Sequence, residues 1–219
     1  MPDYPLLSEL LNSLDFDKLS ALESYYFDYI DEPHDHLLID FLNTHISTKN
    51  SNSMVLLARL YFLWRYPSLC HCSQIQPLLE TASSLNNIYG TFYLAQFLQY
   101  SCPYCGRPAN IDTSVTLLQS LLDSPLYSHI YPTLINLYLH DKKDPDQAKF
   151  YTIKYFKSGG SLDHPSLYKD GLIEYLIHKL QKKNEYCAKL KSKVLKYKYH
   201  PGGSKFQELQ LHFQSLIPI

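Results

Sequence analysis

The residues of this 219-residue chain best suited to do chemistry are its five cysteines, four of which fall in two close pairs. One pair is Cys70-His71-Cys72 and the other is Cys102-Pro103-Tyr104-Cys105-Gly106. A Cys-x-x-Cys-Gly stretch can turn tightly enough to present two thiolates to a single cation, with the glycine relieving the turn. A structural site needs two more ligands, so Cys70, Cys72, Cys102 and Cys105 form the expected metal-ligand set, with His71 able to replace one thiolate. Zinc in a structural role is the cofactor that such ligands favour.

The same residues admit a redox reading. Cys-Pro-Tyr-Cys resembles the active-site tetrapeptide of glutaredoxins, whose chemistry needs a low-pKa thiolate at a helix N-terminus. That motif normally follows a strand and leads straight into the helix, whereas here Gly106-Arg107-Pro108 follows and no βαβ pattern surrounds it. The third reading is that these are loop cysteines without a ligand. Cys187 stands alone in a lysine-rich stretch and reads as a small, partly buried side chain.

The elements that would carry the cysteines repeat. Leu56-Leu57-Ala58-Arg59-Leu60-Tyr61, Tyr93-Leu94-Ala95-Gln96-Phe97-Leu98 and Leu134-Ile135-Asn136-Leu137-Tyr138-Leu139 are similar units at intervals of 37 and 41 residues. Such periods mark arrays of helix pairs. Shifting Cys102 and Cys105 back by 37 lands on Arg65 and Ser68. Both cysteine pairs therefore fall after the first helix of consecutive repeats, where stacked neighbours could bring them together.

Helical periodicity runs along the rest of the chain, and no useful stretch alternates apolar and polar residues. Asp31-Glu32-Pro33 reads as a break before a helix from Asp35. The expected helices of the middle region are 53–64, one capped by Ser73, 88–100, 112–122 and 127–140. Asp144-Pro145 is a cap followed by proline at the first helical position, and Gly159-Gly160 closes the helix it opens. The expected fold is all-α: antiparallel helix pairs stacked as an α-solenoid, with no significant β-sheet. The chain would form one array over 1–219, with acidic N-terminal helices in 1–50, repeats in 53–180 and lysine-rich capping helices in 181–219.

The stretch from Asp144 to Tyr175 resembles a tetratricopeptide-type repeat of the Sel-like variety, with Ala148, Tyr151, Gly159, Leu172 and Tyr175 at comparable places. Leu57-Ala58-Arg59-Leu60-Tyr61 is similar to that family's Leu-Gly-x-x-Tyr segment, with alanine for glycine. Tyr155 and Phe156 depart from it, standing where the family prefers alanines. The resemblance implies an adaptor that binds other proteins through a concave surface.

Composition narrows the function classes. Seven glycines disfavour glycine-rich nucleotide folds, and no phosphate-binding loop or nucleophile elbow is present, so a non-catalytic role is expected. Asp31, Glu32, His34, Asp35 and His36 could ligate metal but sit across a helix junction, where acids cap and histidines stay solvated. The net charge of −1 hides an asymmetry. Residues 1–50 hold ten acids and two lysines, and residues 141–219 hold fifteen lysines and eight acids. The basic end, with Tyr186, Tyr197 and Tyr199 among its lysines, could bind nucleic acid or an anionic surface. It could also pair with the acidic end of another copy. The scarcity of arginine argues against base-specific readout. No secretory signal or membrane-spanning run is read from the sequence, and a reducing, cytoplasmic setting is expected.

Overall fold

Two asparagines 37 residues apart, Asn50 and Asn87, each follow a corner of the same backbone geometry. The computed structural model describes residue 9 and residues 11–15, 18–19, 32–63 and 71–160. Within these, Lys49 and Asn86 both adopt a left-handed backbone, each with φ 61°. The amides that follow make the same bonds. Lys49 donates to Ile46 (2.8 Å) and Asn50 to His45 (3.2 Å); Asn86 donates to Ser83 (2.9 Å) and Asn87 to Ala82 (3.1 Å). This αL corner satisfies the orphan carbonyls at a helix end. Asn50 and Asn87 then open the next helix, their Oδ1 atoms accepting from Ser53 N and Gly90 N at 3.0 Å each.

Seven α-helices are seen among the described residues: α1 Glu32–Ser47, α2 Ser51–Leu63, α3 Cys72–Ser84, α4 Ile88–Gln99, α5 Ile111–Ser120, α6 Tyr127–Asn136 and α7 Pro145–Lys157. No strand occurs among these residues. Among the described residues the fold is helical, as expected, and neighbouring helices pack in pairs. No helix of the described residues is long and apolar enough to cross a membrane.

Several boundaries differ from the sequence expectation, and three of the differences have a clear physical reason. Helix α1 starts at Glu32 and runs through Pro33, because proline in the first turn gives up an amide that would be unpaired anyway. Helix α3 starts at Cys72 with His71 as its cap residue, so Cys72 lies in its first turn and not in the loop before it. Helix α6 gives way at Leu137–Asp141 to a π-helical turn, in which Lys142 N donates to Leu137 O at 2.9 Å.

The chain forms two compact units, Met1–Leu121 and Leu122–Ile219. In the first, α2 packs on α1, α3 and α4, α3 on α4, and α4 on α5. Val55, Leu56, Leu57 and Ala58 are buried, and so are Phe92, Leu94, Ala95 and Phe97, so α2 and α4 are enclosed by their neighbours. Gly90 brings α3 and α4 close: a Cβ there would stand 2.7 Å from Ala82 Cβ. In the second unit, α6 packs on α7 around Ile130, Leu134, Ile135, Ala148 and Tyr155. Asp144 caps α7, accepting from Gln147 N at 3.0 Å, and Gly159 (φ 82°) closes it, with Gly160 N bonded to Tyr155 O.

Candidate metal centre

The segment between α4 and α5, residues 101–110, carries two of the expected ligands. Gly106 takes a positive φ of 70° and donates its amide to Cys102 O at 3.0 Å, while Cys102 N donates to Arg107 O at 2.8 Å. These two bonds close a tight turn with Cys102 and Cys105 on it. A Cβ at Gly106 would meet nothing within 4 Å, so glycine is needed there for its backbone freedom and not for space.

Arg107 fastens this turn to α4. Its Nη2 donates to Phe97 O (3.0 Å) and Tyr100 O (2.8 Å), filling carbonyls that the helix end leaves without an intrahelical partner. Its guanidinium also lies over the Phe97 ring, 3.9 Å from the centroid. At the far end of the loop, Asn110 N donates to Leu98 O (2.7 Å) and Asn110 Oδ1 caps α5 at Thr113 N (3.1 Å). The buried Ser114 hydroxyl donates to Ala95 O at 2.8 Å. Nothing in the sequence reading singled out Arg107. Its signal was an arginine directly after a turn glycine, within reach of a helix C-terminus.

Cys72 comes from the preceding helix pair. As the first residue of α3 it sits where the helix dipole favours a negative ligand. The Sγ atoms of Cys72, Cys102 and Cys105 all lie within 4.8 Å of one another, and all three are thiols. In a tetrahedral thiolate site with metal–sulfur bonds of about 2.3 Å, sulfurs stand about 3.8 Å apart. A closure of at most about 1 Å would complete three corners of such a site. The residues present fit a thiophilic metal ion. Ligation by soft thiolates would select zinc or copper(I) over magnesium or calcium, and it would release the thiol protons.

Of the expected ligand set, the structure thus brings together Cys72, Cys102 and Cys105. Cys70 lies outside the described residues, as do Asp31, Cys187 and the lysine-rich stretch 181–219. His71 turns Nδ1 to Gln74 Oε1 (2.8 Å) and stacks on Tyr61, with ring centroids 4.9 Å apart. The Cys102–Cys105 turn does not open a helix, since α5 begins only at Ile111. That differs from the helix-start geometry a thioredoxin-type nucleophile uses.

Tyr93, Tyr131, Tyr151 and Tyr155 are core residues, while Tyr100 and Tyr104 beside the thiols are 62% and 65% exposed. Comparison with protein-family models, with curated proteins and with solved structures returned no match.

Proposed function

We propose that this chain is a non-catalytic scaffold, an α-solenoid of tetratricopeptide type that binds a protein partner through its helical surface and is locked by a structural zinc ion. The observation that carries the reading is the convergence of thiols from two consecutive helix pairs, Cys72 opening α3 and Cys102 and Cys105 following α4. A clamp in that position ties one repeat to the next, which is where an array held only by nearest-neighbour interfaces gains most from a cross-link. Cys70, two residues before Cys72 in the sequence, supplies the fourth thiolate in this proposal. The matching Lys49-Asn50 and Asn86-Asn87 corners, 37 residues apart, support a stacked array. A reducing, cytoplasmic setting suits thiolate ligation.

The test is metal analysis of protein purified without chelator. The wild type should carry about one zinc per chain and the Cys105→Ser variant much less. The scaffold reading is checked by affinity capture from extract, comparing zinc-loaded with chelated protein. A partner held equally by both, or none held by either, counts against a zinc-locked binding surface.

A further inference from the structure

Resting on the zinc reading, we infer that the same three thiols are an oxidation-sensitive latch, with Cys105 as the site of peroxide attack and Cys102 as its resolving partner. Cys105 is exposed, whereas Cys72 and Cys102 are half-buried. Tyr104, next to it at the tip of the turn, is largely in solvent, so a small hydroperoxide reaches Cys105 without any movement of the helices. The reaction that follows is balanced by that oxidant alone. The Cys105 thiolate attacks one peroxide oxygen, the O–O bond breaks, hydroxide leaves and a sulfenic acid forms. The Cys102 thiolate then attacks the Cys105 sulfur, a second hydroxide leaves and the disulfide closes. Two electrons pass from the two sulfurs to the peroxide, protons convert both hydroxides to water, and zinc departs at its original charge.

Cys102 is the resolving residue because it shares a turn with Cys105, closed by the Gly106 to Cys102 amide bond, while Cys72 belongs to another element. The two sides of the clamp respond differently to release. The loop stays fastened to α4 by Arg107 and Asn110, which need no metal. At the start of α3, His71 makes no side-chain cap bond, in contrast to Asn87 at α4 and Asn110 at α5, and its Nδ1 faces Gln74 Oε1 at 2.8 Å instead. Oxidation therefore unlinks the start of α3 from the cysteine turn and leaves that turn in place.

The experiment loads the full chain with one zinc ion, verifies the loading by mass spectrometry, and titrates hydrogen peroxide in the presence of a chromogenic zinc chelator. Release of that ion as one disulfide forms between Cys102 and Cys105, mapped by peptide mass spectrometry, is the expected result. A reductant with added zinc should then restore the loaded form. In Cys102→Ser, the sulfenic acid at Cys105 should persist and be trapped by dimedone. Retention of zinc through the titration, or a disulfide that contains Cys72, overturns the latch while leaving the zinc reading intact. A protein that takes up no zinc at the loading step overturns the zinc reading, and the latch with it.

Discussion

The side-chain amide of Asn87 reaches back 35 residues, its Nδ2 standing 2.7 Å from Asn52 Oδ1 and 3.0 Å from Ser51 Oγ. Its Oδ1 meanwhile caps α4 at Gly90 N. One residue therefore starts its own helix and ties that start to the start of α2. Asn50 and Asn52 continue the pattern towards the N-terminus, both donating to Leu11 O.

Replacing Asn87 by alanine removes the cap and both cross-helix bonds, at a cost of about 1–2 kcal/mol. Replacing Asn52 removes only part of the same network, so the two effects are not independent. A double-mutant cycle on urea unfolding should give a coupling of about 0.5–1.5 kcal/mol. Strict additivity would mean that the Asn87–Asn52 bond contributes nothing to stability.

How much of this was legible in the sequence depends on the reach of each signal. The 37-residue spacing of Leu56 and Tyr93 located α2 and α4, because apolar periodicity is local and the two units face equivalent neighbours. The corner that starts those helices was harder to read. Lys49 adopts a left-handed backbone where glycine would be expected, and no local propensity favours lysine there. Placing the cysteine pairs in equivalent loops anticipated the meeting of Cys72 with Cys102 and Cys105. Arg107 and Gly90 were missed for one shared reason. Each acts through a neighbour that only folding brings near: the carbonyls of Phe97 and Tyr100 for Arg107, and Ala82 for Gly90.

Arg107 should matter to the proposed metal centre without touching the ion it would hold. Arg107→Met keeps some packing over Phe97 but strips both carbonyl bonds, for a loss of about 1–2 kcal/mol after allowance for solvent at the Tyr100 carbonyl. Arg107→Lys should recover little of it, since an ammonium lacks the planar fork that serves two carbonyls at once. Competition with a chelator of known affinity should show weaker zinc retention in both variants. Unchanged retention would remove Arg107 from any positioning role.

The clamp also makes a local prediction about dynamics. In the zinc-loaded form proposed above, chelation should speed amide hydrogen exchange in the first turn of α3, around Ser73 to Gln76, where Cys72 would lose its tie to the cysteine turn. Exchange in α4 should change little, because Asn87 caps it and its neighbours bury it. Uniform loss of protection across 72–120 would point to global unfolding on metal removal.

Alkaline pH should destabilise the fold through two tyrosines. Burial raises the pKa of Tyr61 above its usual 10.0; burial and the negative charge of Asp15 raise that of Tyr89. The folded chain then holds both phenol protons more tightly than the unfolded chain. The resulting stabilisation is complete below the unfolded value of about 10 and disappears as pH rises through the higher folded values. The melting temperature should fall more gently above pH 10 in Tyr61→Phe and Tyr89→Phe than in the wild type. An identical alkaline slope in all three proteins would contradict the assignment.

Gly90 fixes how closely α3 and α4 approach. An alanine there would bring its Cβ to 2.7 Å from Ala82 Cβ and 3.1 Å from the Ala82 and Ser83 backbone. The first contact can be removed by a second mutation; the backbone contacts cannot. Gly90→Ala should therefore cost about 1–3 kcal/mol from overpacking, despite the roughly 1 kcal/mol that alanine gains over glycine in a helix. Adding Ala82→Gly should return part of that loss and not all of it. Ala82→Gly alone should cost about 1 kcal/mol through helix propensity, so rescue in the double variant would be visible as a favourable coupling. If the double variant is no more stable than the sum of its singles predicts, the Gly90–Ala82 approach does not set the spacing of the two helices.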